Sequence, residues 1–238
     1  FLLYDEKLNI EKHYKNNMEW VQKLRKAIKE DRIVPYFQPI FDNKSDKVAS
    51  HECLIRLIDD DNKVISPFQF LTIAKKSRLY SELTKVMVKK SCQYFMYLDK
   101  DFSVNLSVED MLDAEIVDYI KYNIKKYDAA KKIVFEILES EGIENYEEVS
   151  GFIEEMKALG CRIAIDDFGS GYSNFEHLLK LNVDYIKIDG SLIKNLDTDV
   201  NAQVVVETIV DFAKKLNVLT VAEYVHNEAV LKKVKELK

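Results

Sequence analysis

Several polar residues stand where short apolar runs of the chain end. Glu136, Asp166 with Asp167, Lys187 with Asp189, and Glu223 each come at the close of such a run, Asn105 closes another, and Glu52 lies early in a further one. Alone, an acidic residue at the end of a strand makes a salt bridge or caps a helix. Gathered on one rim with an amide, carboxylates repel one another, and their pKa values rise unless cations neutralise them. An all-oxygen donor set without a Cys or His cluster suits Mg²⁺ or Mn²⁺ better than Zn²⁺. Lys187 is the one evident cation of the set. It either pairs with Asp189 or another carboxylate, or it orients an attacking water beside metal ions and neutralises a phosphate oxygen. Two metals with a positioned water are a standard apparatus for phosphodiester hydrolysis.

The segment Asp166-Asp167-Phe168-Gly169-Ser170-Gly171-Tyr172-Ser173 is the most unusual. A tight strand-to-helix turn explains the glycines, and a helix N-cap explains Ser173. Neither explains two adjacent acids; a loop that holds metals, and moves on dimerisation or ligand binding, does.

These residues need elements that bring them to one place. Apolar runs at 34–40, 48–57, 102–106, 133–138, 162–166, 185–189 and 219–223 read as strands. Only a short polar link separates the first two, so they form an antiparallel hairpin, since a parallel crossover needs a dozen or more residues. Apolar stripes on Leu112, Ile116, Ile120 and Ile124, on Phe152, Met156 and Leu159 before a capping Gly160, and on Val205, Val206, Ile209, Val210, Ala213 and Leu216 read as helices. Strand–helix alternation predicts a parallel sheet, as a TIM-type barrel or as an open doubly wound sheet. In a barrel the C-terminal strand ends form the rim that carries active sites. The barrel reading counts seven strands and ends in a helix at 227–237, so the last, closing strand is expected to be missing from this chain.

Residues 5–31 read as a polar helix with a narrow stripe of Trp20, Val21, Leu24 and Ile28, either docked on the domain or connecting it to one upstream. The chain is therefore divided into a helical connector at 1–31 and a barrel domain at 32–238. Its 238 residues are 47% hydrophobic, enough for a large core and too much for disorder. With 35 basic and 41 acidic residues the net charge is -6, which opposes binding of a nucleic-acid polymer but not of a small anion bridged by metals. Cys53, Cys92 and Cys161 form no CxxC pair, and a reducing compartment is expected. No stretch approaches the ~20 apolar residues of a membrane helix, so no membrane contact is expected of this segment.

The motifs resemble the EAL-domain phosphodiesterases of bacterial cyclic di-GMP signalling. The signature reads Glu52-Cys53-Leu54 inside His51 to Arg56. Gln38-Pro39-Ile40, Asn105-Leu106-Ser107, Phe135 to Ser140, Asp166 to Gly169, Lys187-Ile188-Asp189 and Ala222-Glu223 follow the family's order. The resemblance implies an α/β fold, a modified TIM barrel with an antiparallel strand near its start, and hydrolysis of cyclic di-GMP to linear pGpG with two Mg²⁺ or Mn²⁺ ions. It implies that Glu52, Asn105, Glu136, Asp166, Asp167 and Glu223 bind metal, and that Lys187 orients or deprotonates the attacking water, with Glu52 and Glu223 completing the catalytic set. Glu139 would anchor the loop that begins at Asp166. Gln38, Arg56 and Asp189 would contact the dinucleotide, Arg56 by pairing with phosphate. The family resemblance further implies a homodimer, an upstream GGDEF or sensory domain and a cytoplasmic location, with the parent protein free to be membrane-anchored elsewhere.

The chain departs from the family at a few places. Cys53 replaces Ala, facing away from Glu52; Leu138 replaces Thr; Tyr224 stands where the family has Gly; and His226 replaces a Glu. The family's closing strand carries a Gln-Gly motif whose Gln helps order the catalytic water; its absence predicts lost activity, exposed strand edges and apolar surface, and dimerisation, domain exchange or poor stability. A cyclic di-GMP receptor without turnover, a nucleotide-free interaction module and a different metal-dependent barrel chemistry are the competing readings.

Overall fold

The computed structural model describes residues 2–140, 146–171 and 175–237. The chain opens with α1 (Leu2–Lys29), followed by β1 (Ile33–Phe41), β2 (Val48–Ile58) and β3 (Val64–Ile65), then α2 (Leu71–Lys76) and α3 (Tyr80–Phe95). Alternation follows: β4 (Asp101–Leu106), α4 (Val108–Leu112), α5 (Ala114–Lys126), β5 (Ile133–Leu138), α6 (Tyr146–Ala158), β6 (Arg162–Phe168), α7 (Phe175–Leu181) and β7 (Tyr185–Ile188). The last elements are α8 (Gly190–Ile193), α9 (Val200–Leu216), β8 (Leu219–Ala222) and α10 (Glu228–Glu236).

All strands belong to one sheet in the order β1-β2-β4-β5-β6-β7-β8, with β3 on β2. β1 runs antiparallel to β2, as the short link at Asp42 to Lys47 requires; from β2 to β8 every neighbour along this path is parallel. The strand order never reverses direction, which removes the doubly wound alternative. The sheet also curls. Three strands lie between β2 and β7, so a flat sheet would hold them about 19 Å apart, yet Lys187 of β7 reaches Glu52 of β2 at 3.2 Å. This is the curvature of a TIM-like barrel with one reversed strand. Among the described residues β1 and β8 are the two ends of the order and share no ladder.

The main core lies between the sheet and its helices: Phe102, Phe135, Ile163 and Ile186 from the strands meet Cys92 and Phe95 of α3, Phe152 and Met156 of α6, and Ile209 and Ala213 of α9. A smaller core joins Leu24 and Ala27 of α1 to Ile33, Leu57, Phe70, Ala74 and Leu83, with Trp20 and Ile28 against its edge. The stripe on α1 therefore docks onto the hairpin side of the sheet. All three cysteines are buried and unpaired, and burial pushes each thiol up to about 12.

Several local readings need correction. The two-residue β3 was not expected. Leu112 is exposed because it ends α4, and Asp113 begins a new helix by accepting hydrogen bonds from Glu115 N and Ile116 N. Leu159 lies past the end of α6 and is exposed. On α9 the buried stripe takes Ala202, Val206, Ile209, Val210 and Ala213, while Val205 faces solvent. The helix expected over 5–31 spans Leu2–Lys29 and ends before Asp31, which is left-handed. The capping role read for Ser173, and Tyr172 beside it, lie outside the described residues.

Candidate functional site

Pleat parity puts the polar residues on one face. In a strand, side chains alternate, and in a parallel or antiparallel pair directly opposed residues share a face. Glu52 pairs with Ser103, so Asn105, two residues on, shares its side. Asn105 pairs with Glu136, and Leu138, two beyond Glu136, pairs with Asp166. Lys187 pairs with Val221, and Glu223 stands two residues further. Register alone thus aims Glu52, Asn105, Glu136, Asp166, Lys187 and Glu223 into the barrel. Cys53 faces the other way, into the main core.

Lys187 is the hub. Its Nζ lies 2.9 Å from Glu136 Oε2, 2.9 Å from Asp166 Oδ1, 3.0 Å from Glu223 Oε1 and 3.2 Å from Glu52 Oε2. Asn105 Nδ2 donates to Glu52 Oε1 at 3.2 Å. The Lys187 and Glu136 side chains are only 3% and 2% exposed, so these charges interact with little screening by water. One ammonium cannot neutralise four carboxylates, so protons are retained. Burial, with Glu52 and Asp166 as neighbours, pushes Glu136 up to about 8 against the pull of Lys187. Burial and Asp166 push Glu223 up to about 7. The four carboxylates outweigh the desolvation of Lys187 and hold it protonated.

Asp167 breaks the alternation. As the residue after an inward Asp166 it should point outward. Instead the β6–β7 register shifts between Ile165 and Phe168, and Asp167 takes a left-handed φ of 55°. A bulge of this kind re-aims a side chain. One carboxylate oxygen each of Asp166, Asp167 and Glu223 thereby falls within 4.8 Å of the others. Burial, Asp166 and Asp189 raise the pKa of Asp167. The turn behind it is tied down: Glu139 Oε2 accepts from Gly169 N at 3.0 Å, and Gly169 is left-handed with Leu192 where a β-carbon would sit.

A divalent ion fits these residues. The donors are hard oxygens from separate strands, and carboxylates that retain protons mark an excess of negative charge that a cation would relieve.

The remaining predicted residues lie around this floor. Gln38 pairs directly with Glu52 across β1 and β2 and is exposed. Arg56, four residues from Glu52, is on the same face; its guanidinium sits 5.6 Å from the ring centre of Tyr36, and Nη1 donates to Ile55 O at 2.8 Å. Tyr36 was missed from sequence, although its place two residues before Gln38 on β1 was the available signal. Asp189 does double duty: it caps α8 by accepting from Ser191 N at 2.8 Å, and it faces Asp167. His226 is exposed and bonds to its own neighbours, Tyr224 O and Asn227 Nδ2, so it stands outside the Lys187 network.

The family model described as "EAL domain" matches residues 21–238. The cyclic di-GMP phosphodiesterase PdeB of Shewanella oneidensis is 29% identical over 99% of this chain and 28% of its own length. The cyclic di-GMP phosphodiesterase PdeA of Borreliella burgdorferi is 32% identical over 99% of this chain and 36% of its own length. This chain thus spans about a third of those relatives. Among solved structures, the MucR phosphodiesterase in complex with c-di-GMP superposes with a TM-score of 0.86 at 27% identity, covering 92% of each chain. The FimX EAL domain of Pseudomonas aeruginosa bound to c-di-GMP gives a TM-score of 0.86 at 22% identity, over 92% of this chain and 90% of its own.

Proposed function

The chain belongs to the EAL-domain family, and on that premise we propose that it hydrolyses cyclic di-GMP to linear pGpG. The observation that carries this reading is the convergence of Glu52, Glu136, Asp166 and Glu223 on Lys187 Nζ at 2.9–3.2 Å, with Asp167 bent into the same pocket. Glu52, Asn105, Glu136, Asp166, Asp167 and Glu223 would hold two Mg²⁺ or Mn²⁺ ions. When bound, such ions polarise the phosphoryl oxygens and make water a stronger nucleophile.

The chain's own residues have separable tasks. Lys187 orients the attacking water and places positive charge beside the phosphate, where negative charge grows in the transition state. Glu52 and Glu223 flank that water and receive its proton. The water oxygen bonds to phosphorus, the bond from phosphorus to the ribose 3′ oxygen breaks, and that oxygen takes up the proton the carboxylates received and leaves as a hydroxyl. Arg56, held over Tyr36, pairs with a phosphate oxygen. Gln38 and Asp189 bond to the dinucleotide from opposite sides. Glu139 keeps the backbone at Gly169 in place, so that Asp166 and Asp167 stay aimed inward. A cytoplasmic homodimer with an upstream GGDEF or sensory domain is the wider setting of the same proposal.

The test is hydrolysis of cyclic di-GMP by the whole chain, followed by chromatography of pGpG, with Mg²⁺ and with EDTA, beside Glu52→Ala. Metal-dependent turnover that falls at least about a hundredfold in the variant is expected. Equal rates in the variant would overturn the site assignment. Tight binding without pGpG would select the receptor reading, which the bulk of Tyr224 beside Glu223 favours.

A further inference from the structure

Tyr224 has a conformation that its surroundings do not repay. It follows Glu223 directly, and its backbone is left-handed with φ 53°. There a β-carbon crowds the following carbonyl oxygen, which is why glycine, asparagine and aspartate are the common occupants. Strain of this sort is ordinarily offset by burial, yet the Tyr224 side chain is 66% exposed. What the structure builds instead is support. A β-carbon on Gly190 would lie 2.8 Å from Tyr224 Cβ, so Tyr224 rests where the first turn of α8 carries no side chain. The imidazole of His226 lies behind the phenol ring, with centroids 5.3 Å apart and planes at 35°. His226 Nδ1 is 3.4 Å from Tyr224 O, which fixes the pair to one stretch of backbone. A strained backbone that presents a braced, solvent-facing ring at the lip of a reactive pocket is the arrangement expected of a ligand contact.

We infer that Tyr224, backed by His226, is a base-stacking platform that takes the face of one guanine of the dinucleotide while its phosphate lies over Lys187 and the carboxylates. The inference rests on the proposed function, which supplies the guanine. Aromatic side chains hold nucleobases by stacking, and exposed rings beside an anion-binding pocket are how such bases are positioned. Tyr224 is therefore a positioning residue, not a catalytic one.

The experiment is titration of the whole chain with cyclic di-GMP by calorimetry in EDTA, where turnover is blocked, together with thermal unfolding. Tyr224→Ala should weaken binding about fivefold to a hundredfold, the range of a lost base stack. Tyr224→Phe, which keeps the ring, should stay within about twofold of the parent. Tyr224→Gly should weaken binding as Tyr224→Ala does while raising the thermal midpoint, because the left-handed strain is relieved. Tyr97→Ala removes a still more exposed ring at the opposite end of the barrel, ahead of β4, and should leave binding unchanged. A parent chain that binds, with Tyr224→Ala and Tyr224→Gly binding equally well, overturns the stacking role alone. A parent chain that does not bind cyclic di-GMP in EDTA overturns this inference, and one that also fails to hydrolyse it with Mg²⁺ overturns the proposed function as well.

Discussion

Glu136 and Lys187 lie on the barrel's inner face in regular strand backbone, and their side chains are almost wholly buried. Asp167 and Tyr224, one residue beyond Asp166 and Glu223, lie in left-handed backbone and stand partly or largely in solvent. The floor of the pocket is placed by pleat parity and held by charge. Its lip is placed by backbone that departs from the strand and is held by local braces, Glu139 against Gly169 and Gly190 beneath Tyr224. The floor should therefore govern stability, and the lip should govern ligand handling. The two can be changed separately, and each substitution below tests that separation.

The largest effect should come from the floor. Lys187→Met leaves four carboxylates without their shared ammonium, and removing one partner of a buried ionic network costs about 3–5 kcal/mol. Chemical denaturation of the metal-free chain should show that loss, and Mg²⁺ should restore part of it, because a cation then substitutes for the missing charge. A variant as stable as its parent in EDTA would break the distinction at its base. Next in size, Asp167→Asn should lower cyclic di-GMP hydrolysis about ten- to a hundredfold while the unfolding free energy shifts by less than about 1 kcal/mol. Asparagine keeps the left-handed backbone and removes only the charge. A loss of stability as large as that of Lys187→Met would place Asp167 with the floor.

A smaller effect concerns pH. The folded, metal-free chain keeps protons on Glu136 and Glu223 that the unfolded chain releases near the ordinary glutamate value. The native state then binds more protons than the unfolded one between about pH 5 and pH 8, so stability falls as pH rises through that window. The thermal midpoint in EDTA should decline from pH 5 to pH 8, and Mg²⁺ should flatten the slope. A midpoint that climbs over the same range would show that the carboxylates are fully satisfied by Lys187. The smallest effect is at the lip: Tyr224→Gly should stabilise the chain by about 1 kcal/mol or less, read as a raised denaturation midpoint.

The floor was legible in the sequence because polar residues at strand ends recur with the βα repeat, and parity then fixes their direction. Asn105, Glu136, Asp166, Lys187 and Glu223 needed nothing more than that, whereas Glu52, early in its run and well inside β2, is set apart from that repeat. The hairpin was legible because the link at 42–47 is too short for a crossover. What escaped depends on backbone that local pattern does not announce. The bulge that turns Asp167 inward is a property of pairing between β6 and β7, not of either strand alone. Val205 was misplaced because a helix face is set to within one residue by its cap, and Asp199 starts α9 by accepting hydrogen bonds from Asn201 N and Ala202 N. Tyr36 was overlooked because an aromatic residue in a strand reads as core, yet here it lies under a guanidinium on the open face.

Gly190 and Tyr224 occupy each other's room, and this limits the routes by which the sequence can drift. Alanine at 190 is excluded while a β-carbon stands at 224, and becomes admissible once 224 is glycine. The two positions must therefore change in a fixed order, and a swap attempted in the reverse order passes through an intermediate that folds poorly. Variation at the lip is gated by history as well as by function.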